Sequence, residues 1–477
     1  MPKNQKVYIN GINAVTGEYL VRPMTRNQLA RYIAGEPDRD LLRWLTRMLQ
    51  LMAVPSLALD RDPTNLKEVG WAVVFHEKES SEVKKALEPL VAHRRKQVGS
   101  NKLVKTLEYR DNESTQEFLG RYQLAPGSKD PEKIPQYLLL VGSPERIPFL
   151  ISHLLDIEYS VGRLDFDRPD DYAAYVESLI AYETGAAVPN SRRALFFGTR
   201  HPFDKATQMS TDLLVTPLVN GTPGAGAELP KLGVAQEFGF QSSLVLGEAA
   251  TKAALTGALA APEGGKLPAL LFTASHGVGF PSGHADQLDR QGALLCGDWP
   301  GFGHISPAHY FSAADLPAGI RLDGLVAFHF ACYGAGTPET DRFLKIPGKK
   351  PPQIAPKPFT AALPKTLLLQ GALAVVGHVE RAWGYSIATD QAGPQIQPFR
   401  NTIGRILFGQ PVGFSTMDFN QRYAWLSANL TAMIDTKSAG GNVSDQELAS
   451  SWIERNDAEG YVVLGDPAVR LRVKDLI

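Results

Sequence analysis

The sequence predicts an α/β sandwich with a mostly parallel central sheet, preceded by a small N-terminal α/β domain. Three observations carry this. Several apolar runs of strand length, such as YLLLV (137–141) and ALLF (269–272), are continuous rather than alternating, the pattern of strands covered on both faces. Segments with apolar residues three and four apart, the helical period, separate them. Finally, turn-forming Gly and Pro punctuate the runs at the spacing of successive βα units.

In order, TRNQLARYIAG (25–35) and RDLLRWLTRMLQLMA (39–53) read as helices, the second stopped by Pro55, because proline disfavours helix in the residue before it. GWAVVFHE (70–77) reads as a buried strand, and 80–99 as a helix opened by Ser80 or Ser81 and closed near Gly99. The polar stretch 100–130 reads as a connector, closing an N-terminal unit of residues 1–130. From 136 the alternation is regular: strand QYLLLV, helix PDDYAAYVESLIAYETG (169–185) with an acidic first turn, and strand RRALFFGTR (192–200). Then come strand and helix in SSLVLGEAATKAALTGALA (242–260), and strand LPALLFTASHG (267–277). After a long loop follow strand GLVAFHFACYG (324–334), helix FTAALPKTLLLQGA (359–372) and strand LAVVGHV (373–379). NTIGRILFG (401–409) and 417–437 supply late helices, and GYVVLGDPAVRLRV (460–473) a last strand. The expected divisions are 1–130, 131–240, 241–400 and 401–477.

Composition narrows the function. With 49 Lys+Arg against 50 Asp+Glu and a net charge of -1, nothing favours a nucleic-acid or anionic-membrane partner. The two cysteines, Cys296 and Cys332, cannot form a disulfide framework, and a reduced, cytoplasmic protein is expected. No signal peptide is recognised at the start and no run reaches membrane-spanning length. No dinucleotide or Walker fingerprint appears, so no cofactor is assigned.

The chemistry concentrates at two strand ends. One closes on FTASHG, the other on FHFACYG. In an open α/β sheet, sites form beyond the carboxyl ends of the strands. If both strands run parallel in one sheet, His276 and Cys332 emerge at the same edge. A thiol is nucleophilic as thiolate, and an imidazole beside it can take its proton and later protonate a leaving amine. The backbone N–H groups of Gly277 and Cys332 are the expected oxyanion donors, since glycine lets a carbonyl approach closely. The competing reading is a packed core cysteine beside Phe328 and Phe330, as free cysteine is among the most buried residue types.

LLFTASHG followed by VAFHFACYGAG resembles the His-Gly and Ala-Cys motifs of the caspase-like cysteine peptidases, above all the gingipain-like branch. YLLLVGSPERIPF and YVVLGDPAVRL resemble that branch's early and late strand motifs, so the resemblance covers roughly 135–475. It implies a caspase-like three-layer α/β/α sandwich, with 131–240 as a first subdomain, 241–400 as the catalytic one, and 401–477 packing on that core. It implies Cys332 as nucleophile and His276 as general base and acid in a cysteine endopeptidase acting on protein or peptide substrates. It leans toward Arg or Lys at the scissile position. For the third, orienting group the resemblance implies either an upstream acid, with Asp212 ranked ahead of Glu248, or a backbone carbonyl as in many caspase relatives. Asp286, Asp298, Glu380 and Trp383 are candidate substrate contacts. The Lys- and Pro-rich stretch 341–359 stands where related enzymes carry a loop shaped or cut on activation, with cleavage expected around Lys345 to Lys350; a protein or small-molecule activator is another route. Oligomeric state is not legible.

Two rivals stand beside this reading. One is a non-catalytic caspase-like scaffold or binding protein. The other is a metal-dependent hydrolase, because six of the ten histidines (276, 284, 304, 309, 329 and 378) fall in one region, though without a His-Glu-x-x-His helix or a compact ligand spacing.

Overall fold

The computed structural model describes residues 6–7, 24–25, 61–187, 190–222, 231–301, 304–342, 350–382, 384–389 and 393–477. The expected helices of 25–53, the stretch around Lys345 and the side chain of Trp383 lie outside them. The chain divides into two compact units, one of Met1–Val54 with Trp425–Trp452, the other of Pro55–Ala424 with Ile453–Ile477. In the first, the described secondary structure comprises the pairing of Lys6–Val7 with Met24–Thr25 and portions of two late helices.

The larger unit is built on ten strands: β1 (Trp71–His76), β2 (Val104–Tyr109), β3 (Tyr137–Val141), β4 (Ser160–Leu164), β5 (Ser191–Gly198), β6 (Gln241–Leu246), β7 (Pro268–Ala274), β8 (Val326–Phe330), β9 (Ala374–His378) and β10 (Tyr461–Gly465). They form one sheet in the order β2-β1-β3-β4-β10-β9-β8-β7-β5-β6. Every neighbouring pair is parallel except β9 with β10. The sheet is therefore two parallel five-stranded halves meeting back to front, and their carboxyl edges face opposite ways. β1, β3, β7, β8 and β9 are buried along their whole length, which is why their apolar runs are unbroken.

Helices cover both faces. In the first half, Ala72 and Val74 pack with Phe118 and Leu119 of α2 (Thr115–Arg121) and with Ile151 and Leu155 of α3 (Phe149–Asp156). The alternate residues Trp71, Val73 and Phe75 belong to the opposite core, with Leu87 and Leu90 of α1 (Ser81–Val98) and Tyr175 and Leu179 of α4 (Pro169–Thr184). The period of two along β1 thus feeds two helical layers. The result is a three-layer α/β/α sandwich with a largely parallel sheet, in general terms consistent with a caspase-like architecture. Residues 70–121, read as part of an N-terminal unit and connector, contribute β1, β2, α1 and α2. β4 and the helix Asp445–Glu459 have no counterpart in the sequence reading.

In the second half, β8 runs between β7 and β9, parallel to both. Phe328 is fully buried against Phe272 and the ring of Phe399, on a helix (α8, Gln397–Phe408) covering that face. α5 (Lys205–Ser210), α6 (Lys252–Ala260) and α7 (Ala362–Leu369) complete the elements that frame the site.

Candidate active site

The register of β7 and β8 decides what meets at their ends. Phe330 pairs with Ala274, so Cys332 and His276, each two residues further on, leave the sheet at one level. Both line a pocket of about 70 Å³ at this edge. Its other walls come from α5 and its C-terminal residue, through Ala206, Met209 and Ser210, and from the segment after β9, through Ala382 and Ile387.

Gly277 holds the two strand ends together. A Cβ there would stand 1.7 Å from the carbonyl oxygen of Cys332 and 3.0 Å from its nitrogen, so no side chain fits without moving one of them. The amide of Gly277 is also a hydrogen-bonding influence on the Cys332 thiol. Next to the cysteine, Tyr333 sits at φ 57° and donates its N–H to the Glu380 carbonyl at 2.6 Å, while Glu380 itself lies at φ 71°. Left-handed backbone in side-chain-bearing residues costs about 1–3 kcal/mol each, and here it turns the chain sharply just after the thiol.

The imidazole of His276 donates from Nε2 to Oδ2 of Asp204 at 2.9 Å. Asp204 is buried and caps α5, accepting the N–H groups of Ala206 and Thr207. Burial pushes its carboxyl up, but the hydrogen bonds from Thr207 and the interaction with His276 outweigh this and hold it below the usual carboxylate range. Edge-on to the His276 ring stands Trp299, at 5.9 Å between centroids and 89°. Trp299 belongs to a small separate core with Val278, Leu295 and Tyr310. The long loop after His276 therefore has a packed core of its own, one residue of which abuts the imidazole.

Cys332 as a residue is half-buried, with its thiol set inward. It donates to the Ala382 carbonyl at 3.6 Å; no hydrogen bond joins it to an imidazole among the described residues. Burial raises its pKa above the ordinary thiol value, against weaker lowering by the Ala382 and Gly277 backbone. Cys296, in contrast, is fully buried and its thiol is pushed up to about 12, chiefly by burial.

The remaining candidates fall elsewhere. The carboxylate against His276 is that of Asp204 and not of Asp212, which is half exposed and paired with Arg200 at 3.0 Å through both oxygens. Glu248 is exposed in the turn before α6. Asp286 pairs with Arg290, and Asp298 accepts the Lys252 N–H at the start of α6. Glu380 is buried with Arg381 beside it, and burial raises its pKa. Among the described residues, the pocket that holds Cys332 and His276 has no acidic side chain in its lining. The described grouping close enough to hold a metal ion is His76, Glu77 and Asp111. It sits at the carboxyl ends of β1 and β2, on the opposite edge of the sheet, and includes none of the clustered histidines.

Asp204 was not singled out by the sequence. Its signal is local, an aspartate opening a helix in DKATQMS, an N-cap pattern. Only the adjacency of β5 to β7 brings that cap to the histidine.

No helix among the described residues is long and apolar enough to cross a membrane. No family model matches the chain, and no curated protein matches it. Among solved structures, the chain has distant similarity to one described as a protease, at 13% identity and a TM-score of 0.46, covering 84% of this chain and 78% of that one. It is also distantly similar to the Saccharomyces cerevisiae separase–securin complex, at 12% identity and a TM-score of 0.31, covering 93% of this chain but 26% of that one. A second structure of that complex gives the same TM-score over 15% of its chain.

Proposed function

We propose that the protein is a cysteine endopeptidase of caspase-like construction, with Cys332 as nucleophile, His276 as general base and acid, and Asp204 orienting the imidazole. The observation that supports it most is the convergence of a half-buried cysteine and a carboxylate-held histidine on one pocket, from the carboxyl ends of adjacent parallel strands. Nε2–H is committed to Asp204, so Nδ1 is the lone pair left to accept a proton. Because burial keeps the thiol protonated at neutral pH, the proton leaves Cys332 during attack rather than before it. The sulfur adds to the peptide carbonyl, the proton passes to His276, and the tetrahedral oxyanion lies by the Gly277 and Cys332 amides. Collapse expels the amine, protonated by His276, and leaves a thioester. Water, deprotonated by His276, then releases the acid.

A peptide-library hydrolysis assay on the full chain tests this. Cleavage that disappears in both Cys332→Ala and His276→Ala, and survives chelation of divalent metals, is expected. Unchanged cleavage in Cys332→Ala sinks the reading.

A second reading, a binding protein that keeps this architecture without catalysis, has one observation in its favour: the thiol's hydrogen bond goes to the Ala382 carbonyl. It predicts peptide binding in native protein and Cys332→Ala alike, with no cleavage by either.

A further inference from the structure

We infer that the pocket beside Cys332 selects an uncharged, apolar side chain at the scissile position, with Met209 setting its depth. The inference rests on the peptidase reading above and names its substrate class. Its ground is the lining. Met209, Phe330, Ala331 and Ile387 give the pocket an apolar wall, while Thr207, Ser210 and Ser275 supply only neutral hydroxyls. A guanidinium or ammonium entering a site of about 70 Å³ would lose its hydration without gaining a counter-charge from the described lining residues, a cost that excludes unpaired ions from such places.

The acidic groups near the site among the described residues do not repair this. Asp204 is taken up by His276 and by the cap of α5. Asp457, which acts electrostatically on the thiol, is fully buried and accepts the hydroxyl of Ser386. Glu380 and Asp341 both bond Arg381, a cation that also acts on Cys332. An acidic substrate side chain meets the same apolar wall.

Met209 is the adjustable element. The methyl end of its side chain occupies the space where a Cβ on Gly384 would lie, at 2.1 Å, so Met209 and Gly384 meet across the pocket. The flexible thioether can give way to a linear or singly branched side chain. Replacing it by Ala opens the pocket to larger groups; replacing it by Asp supplies the missing carboxylate.

The test is the rate of covalent labelling of Cys332 in the reduced full chain. The probes are tripeptide acyloxymethyl ketones identical except for Ala, Leu, Met, Phe, Arg, Lys or Asp at the terminal position. Leu or Met is expected to react at least about tenfold faster than Arg, Lys or Asp, since pocket complementarity commonly separates side chains by that much or more. Met209→Ala is expected to move the optimum toward Phe, and Met209→Asp toward Lys or Arg. Fastest labelling of the native chain by Arg, Lys or Asp probes overturns the inference and leaves the peptidase reading intact. Absence of labelling by every probe removes that reading, and this inference with it.

Discussion

Substituting Gly277 by Ala tests how the two strand ends are held. The new methyl would meet the Cys332 carbonyl oxygen at 1.7 Å and its carbon at 2.7 Å, where ordinary contact begins at 3.4 Å. Both contacts are backbone, so no side chain can rotate away, and the strand ends must separate by about 1.7 Å. Overpacking of this kind costs roughly 1–3 kcal/mol, occasionally more, and a misplacement of about 1 Å among reacting groups can cost ~10²-fold in rate. The assay pairs urea denaturation with the rate of peptide-probe labelling at Cys332. A fall of this size in stability together with roughly 10²-fold slower labelling is expected. Gly257→Ala is the control. It lies exposed within α6 with nothing within 4 Å of the added methyl, and is expected to gain about 1 kcal/mol from helix propensity. Native stability and native labelling in Gly277→Ala would refute the close approach and its consequence for the site.

Four further outcomes follow from the structure. Asp204→Asn keeps a good helix cap but removes the carboxylate charge that faces His276, and is expected to lower peptide turnover roughly 10²-fold by the scale of general acid–base catalysis, with stability nearly unchanged. Asp212→Ala, which loses an exposed pair with Arg200, is expected to change neither by more than about 0.5 kcal/mol; the reverse ranking in a kcat comparison would move the orienting role to Asp212. Because burial raises the Cys332 thiol above its ordinary value, alkylation by iodoacetamide is expected to keep accelerating past pH 9, and a plateau from pH 6 would reveal a preformed thiolate instead. Asp156, buried on α3, has its carboxyl pushed up to about 8, chiefly by burial. The folded state then holds a proton that the unfolded chain releases near pH 4, so stability is greatest below that and falls as pH rises toward 8. Asp156→Asn is expected to flatten that slope in urea titrations at pH 4.5, 6 and 8, and an unchanged slope would contradict the assignment.

The central strands were legible because burial on both faces writes itself as an unbroken apolar run, and β7 and β8 carried their reactive residues at the ends of such runs. Two strands were hidden for physical reasons. β2 lies at the sheet edge, and its second part alternates, with Thr106 and Glu108 exposed and Leu107 and Tyr109 buried. β4 carries Arg163, a charge that propensity counts against a central strand; the guanidinium is satisfied inside by the Gly142 and Ile147 carbonyls and the Ser152 hydroxyl. Strand direction has no local signature, so the antiparallel meeting of β9 and β10 could not be read. The carboxylate bonded to His276 was missed for a related reason. Asp204 and His276 stand 72 residues apart, and only sheet order makes them neighbours.

The most direct measurement of the central claim is intact-mass and peptide-level mass spectrometry of the full chain after brief reaction with a peptide ester. A single acyl group on Cys332 in the native protein, absent in Cys332→Ala and strongly reduced in His276→Ala, is the predicted result. Acylation elsewhere, or acylation of Cys332 indifferent to His276, would contradict a thiol nucleophile activated from the neighbouring strand end.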